Sequence, residues 1–94
     1  MHQSITLNID PYLSAEDWRK VADIYRGMDG WIEGAKHPCW YGTENDARWI
    51  SVSSEPSGLL FVGDMDSDVW TAWMTTICAR LTMALGKPVH DAEM

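Results

Sequence analysis

Residues 48–62 read RWISVSSEPSGLLFV, and this stretch decides the fold. Arg48–Ser54 alternates, with Ile50 and Val52 on one face and Trp49, Ser51 and Ser53 on the other, which is the pattern of a strand. Glu55-Pro56-Ser57-Gly58 is a turn signal: proline presets φ at the second position, and glycine takes the positive φ that often follows. Leu59–Val62 then returns as the second arm of a hairpin. Strands joined by so short a turn run antiparallel.

Upstream, Ser4–Asp10 alternates in the same way, with Ile5, Leu7 and Ile9 facing together until Pro11 removes a ladder donor. Ser14 is a helix N-cap, followed by Glu16 and Asp17 at the positive end of the helix dipole. Trp18, Val21, Ala22, Tyr25 and Met28 continue at helical spacing, and Gly27 or Gly30 ends the run. Downstream, Asp66 or Ser67 opens a second helix reaching Leu85, with a stripe of Trp70, Trp73, Met74, Ile77, Cys78, Leu81, Ala84 and Leu85. Gly86, Lys87 and Pro88 stop it. Residues 29–47, DGWIEGAKHPCWYGTENDA, are the least regular; short strands are expected near Trp31-Ile32 and Cys39-Trp40-Tyr41, and a turn at Thr43–Asp46. Val89–Met94 is a short tail that either adds an edge strand or frays.

The resulting order is β-α-β-β-β-α, with a possible short C-terminal strand. It predicts a single α+β domain over residues 1–94, with two amphipathic helices packed on one face of a small, mostly antiparallel sheet. The other sheet face is left to water or to a partner.

Fourteen acidic residues against seven lysines and arginines give a formal charge of -7. That balance argues against direct nucleic-acid binding and against anionic membranes, and it favours a basic protein partner. No apolar run approaches the roughly 18 residues of a membrane span. The start, MHQSITLNID, lacks the pattern of a signal peptide, so a cytoplasmic protein with reduced cysteines is expected.

Six tryptophans are many for this length. Periodicity assigns Trp18, Trp70 and Trp73 to the helix–sheet core. Trp31, Trp40, Tyr41 and Trp49 have no helical address; they either close the far end of the core or act as interface anchors, a role in which Trp and Tyr are enriched. If Ile50 and Val52 face the helices, Trp49 faces away from them. The acids Glu33, Glu44, Asp46, Asp64 and Asp66 are candidate partner-binding residues beside these rings, or simply a solvated surface.

Other patterns support less. Asp64, Asp66 and Asp68 form D-x-D-x-D, but Val69 and Thr75 stand where a calcium loop needs Gly and Glu. The apolar run LLFV before D-x-D resembles the nucleophile motif of haloacid-dehalogenase-type phosphatases, which need a full α/β domain downstream; here only one helix remains. Helix capping explains these acids more simply. His37 and Cys39 fall short of four metal ligands, and their spacing does not establish a nucleophile pair. No metal, cofactor or catalytic residue is therefore assigned.

In size, acidity and element order the chain resembles small accessory proteins of phages and mobile elements, including immunity proteins and anti-CRISPR inhibitors. That likeness implies a non-enzymatic inhibitor that blocks a basic partner, such as a nucleic-acid-binding defence complex or a nuclease. The alternatives are a homo-oligomeric or structural subunit using the spare sheet face, and a small enzyme or ligand-binding domain using the 37–46 loop. Monomer and homodimer both remain open.

Overall fold

A computed structural model describes residues 2–93. The element order is β1 (His2–Leu7), α1 (Ala15–Gly27), β2 (Cys39–Trp40), β3 (Trp49–Glu55), β4 (Gly58–Asp64) and α2 (Ser67–Leu85). The four strands form one antiparallel sheet in the order β1-β4-β3-β2. This is the α+β architecture expected, with the two helices packed on the sheet.

The hairpin is closed by the pair Glu55↔Gly58, and Gly58 has φ 140°. A Cβ there would lie 2.0 Å from the Leu7 carbonyl oxygen, so glycine is required both for the turn and for the approach of β1. Alternation then sorts the side chains. Leu7, Leu59, Phe61, Ile50 and Val52 belong to the buried cluster, with Ile5 packed at its margin. The strand β1 is shifted toward the N-terminus relative to the pattern at Ser4–Asp10. The chain leaves the sheet after Leu7, although Ile9 still reaches the core.

Ser14 caps α1 as expected, its Oγ accepting from the Asp17 N–H at 3.1 Å. Asp66 occupies the N-cap of α2 without a side-chain capping bond; its carboxylate pairs with Arg48 at 3.1 Å instead. Gly86 ends α2 in the left-handed conformation. The helices present Val21, Tyr25 and Met28 from one side and Trp73, Met74, Ile77 and Leu81 from the other to the core.

Side chains bind the C-terminal end of α1. The Trp40 Nε1–H donates to the Tyr25 carbonyl (2.9 Å), Arg80 Nη1 to the Gly27 carbonyl (3.0 Å) and the Trp73 Nε1–H to the Asp29 carbonyl (3.1 Å). Carbonyls at a helix end lack intrahelical partners, so these donors fix α1 against β2 and α2 while satisfying groups that burial would otherwise penalise.

The tail is tied to the edge of the sheet. Leu7 bridges Asp91, the Ala92 N–H donates to the Thr6 carbonyl, and Asn8 Oδ1 accepts from the His90 N–H at 2.7 Å. Val89 is buried. The edge-strand expectation thus reduces to a single bridge; Met94, at the end of the expected segment, lies outside the described residues.

Candidate functional site

The middle segment is more ordered than its composition suggests. Trp31 bridges Trp40, the Ile32 N–H donates to the Cys39 carbonyl, and the Tyr41 N–H donates to the Gly30 carbonyl at 2.7 Å. Residues 30–32 therefore run antiparallel beside 39–41 and carry Trp40 into the core.

Two of the candidate anchors need correction. Trp40 is 0% exposed and stands at the centre of an aromatic cluster with Trp73 (centroids 4.7 Å apart), Tyr25 (5.3 Å), Trp31 (5.7 Å) and Phe61 (6.2 Å). Trp49 follows the strand alternation onto the face away from the helices, yet it is only 7% exposed, and the His2 ring meets its edge at 6.0 Å. Neither ring is free to anchor a partner. Conversely, Trp18 and Trp70, assigned to the core by periodicity, are only half-buried at its margin.

Trp31 is half-buried, and its Nε1–H donates to Glu33 at 2.7 Å. Tyr41 is exposed (42%). The acids do not converge. Asp46 receives the Thr43 N–H and closes the 43–46 turn. Glu44 lines a shallow groove with His37, Cys39 and Thr43, whereas Asp64 and Asp66 line another with Arg48 and Met65. Asp64 lies in register with His2 and Trp49 on the outer face. The candidate acids therefore do not gather on one surface with the four candidate rings.

A different surface draws the remaining features together. A groove of ≈ 340 Å³ runs between the end of α1 and the first turns of α2, lined by Met28, Asp29, Tyr41, Asp68, Val69 and Trp73, among others. Its floor is apolar: Met28 and Trp73 are buried, and Val69 is 38% exposed. Asp29 and Asp68 stand exposed on its rim. The guanidinium of Arg80, also at the groove, is engaged by the Gly27 carbonyl and the Met28 sulfur.

Tyr41 borders this groove with φ 69°, the one non-glycine residue at positive φ among those described. An L-residue there costs roughly 1–2 kcal/mol. Its ring lies on Gly30, where any Cβ would come within 2.8 Å of the ring carbons. The fold thus holds a tyrosine in an unfavourable backbone state while leaving much of its ring in solvent. Strain of this kind concentrates at functional positions. Sequence periodicity does not mark Asp29 and Val69 as groove residues, because Asp29 lies just past the end of α1 and Val69 in the first turn of α2, and the two share no pattern.

The 37–46 loop offers weaker chemistry. Burial, reinforced by the Asp46 carboxylate, pushes the Cys39 thiol up, so little thiolate is present at neutral pH. Among the described residues, no three His, Cys, Asp or Glu side chains gather as a metal-holding group, and no helix is long and apolar enough to cross a membrane.

The phenols and thiols impose a direction on pH dependence. Burial pushes Tyr25 up, and burial followed by Asp29 pushes Tyr41 up; Cys78 rises through burial and then Asp91. Each group holds its proton in the folded chain to higher pH than in the unfolded chain, so stability is complete below the unfolded values and declines as pH rises through the folded ones. The melting temperature in reducing buffer is expected to be level from about pH 7 to about 8 and to fall beyond about pH 9, where free thiols and then free phenols ionise. A level melting temperature up to about pH 11 would contradict this.

No family model, no curated protein and no solved structure matches the chain.

Proposed function

We propose that this chain is a stoichiometric protein-binding domain of the inhibitor or immunity kind, which occludes a basic surface of its partner without catalysis. The observation that carries this reading is Tyr41, exposed and held at positive φ beside a groove with an apolar floor and the rim carboxylates Asp29 and Asp68. A cationic side chain entering the groove meets an aromatic face and two carboxylates together, a combination worth more than either alone when water is excluded. The formal charge of -7 steers such a partner toward the surface. A nucleic-acid-binding complex or nuclease has the basic character this surface fits.

The test is capture of a partner from host lysate, followed by calorimetry with the isolated partner at increasing salt. Affinity is expected to fall with ionic strength, and Tyr41→Gly is expected to weaken binding by about tenfold or more, the scale of an interface hot spot. The same substitution relieves the backbone strain while deleting the ring's packing on Gly30, so folding stability should change by less than about 1 kcal/mol. An acidic partner, salt-independent binding or unchanged affinity in the Tyr41→Gly variant would overturn the reading.

A further inference from the structure

The edge of β3 extends beyond its short partner β2. The strand β2 is only two residues long and pairs with β3 at Cys39↔Ser51 and Trp40↔Ile50. The strand β3 continues to Glu55, so its final residues have a neighbour on the β4 side alone. Continuing the register places Pro38 opposite Val52, and proline has no N–H with which to extend the ladder. Beyond it, Ala35, Lys36 and His37 lie in an exposed loop outside any strand.

The hairpin determines where the free groups point. Bonded and non-bonded pairs alternate along an antiparallel ladder, and the tight turn is closed by the bonded pair Glu55↔Gly58. Ser54↔Leu59 is then a non-bonded pair, and the N–H and C=O of Ser54 are directed away from β4 into the lane beside β3. That lane borders a groove of ≈ 430 Å³ lined by Trp18, Ala22, Tyr25, Pro38, Val52 and Ser54, among others. Trp18, only half-buried, supplies an apolar wall.

We propose that the Ser53–Glu55 edge of β3, beyond Pro38, accepts an extended, basic segment of a partner protein by strand addition, seating one apolar side chain against Trp18. Main-chain bonds supply affinity, and the groove supplies selectivity for the residue that points into it. The basic character of the segment follows from the charge: a strand of a second copy would bring another net charge of -7 against the first, whereas a lysine- or arginine-bearing strand is drawn in. This site is separate from the Tyr41 groove and stands or falls independently of it.

The probe is a short capped peptide of alternating lysine and valine, titrated into the isotopically labelled full chain. The expected result is a saturable shift of the Ser53, Ser54 and Trp18 resonances, with the Ser54 amide slowed in hydrogen exchange. Ser54→Pro removes the outward N–H while leaving the β4 pairing intact, and is expected to weaken binding about tenfold. Should that variant fail to fold, a peptide of the same sequence N-methylated along one edge is expected to lose binding to the unaltered protein. Binding that survives both changes, shifts confined to other surfaces, or equal binding of a glutamate–valine peptide would overturn the proposal. A concentration-dependent dimer protecting the Ser54 amide would assign the edge to a second copy instead.

Discussion

Trp40→Ala is expected to destabilise the chain by about 3–5 kcal/mol, the range for removing a fully buried large aromatic side chain. The indole touches rings from α1, β4 and α2 together, so no single neighbouring element can collapse into the space it leaves. Its Nε1–H also serves the Tyr25 carbonyl at the end of α1, and that donor disappears with the ring. Domains of this size have stabilities on the order of 5–15 kcal/mol, so a substantial unfolded population at room temperature is within reach. Urea unfolding followed by far-ultraviolet circular dichroism measures the loss. Trp18→Ala, at a half-buried ring, should cost clearly less than Trp40→Ala; the reverse order would contradict this account of the core.

Gly58→Ala should act through the backbone. The added Cβ would sit 2.0 Å from the Leu7 carbonyl oxygen, and φ 140° is a conformation that L-residues rarely adopt. The strain alone is on the order of 1–3 kcal/mol, and relieving the clash requires β1 to separate from β4 near the turn. A total loss of about 3 kcal/mol or more is expected, concentrated on the β1–β4 pairing from Leu7 to Ile5. Amide exchange of Phe61 and Leu59 should accelerate before that of α2. A variant within about 1 kcal/mol of the parent would show that the turn can take another geometry.

Local patterns make the fold legible. Alternation, one turn and two capped helices are each short-range signals, and they agree on a helix-covered antiparallel sheet. The order of the six elements follows directly, as does the Ser14 cap. The fate of individual tryptophans was not legible, because helical spacing says which face turns inward but not how far the sheet extends to cover it. Trp18 and Trp70 have the right spacing and reach only the margin. Trp40 has no period, yet the Trp31↔Trp40 bridge threads it into the centre. Trp49 kept its predicted face and lost its solvent to the His2 row of β1, a neighbour set by register across three strands. The Tyr41 groove leaves no local sequence signal for the same reason: Asp29, Tyr41 and Asp68 are distant in sequence and meet only through the packing of α1, β2 and α2.

In the proposed complex the Tyr41 groove receives the partner. Amide hydrogen exchange of this chain, free and saturated with the captured partner, reads out that contact. Protection is expected at Asp29–Trp31, Tyr41 and the Asp68–Thr76 turns of α2, with Leu60 and Val62 of β4 unchanged. Protection confined to Leu60, Val62 and their neighbours, with the groove residues exchanging as in the free chain, would contradict it.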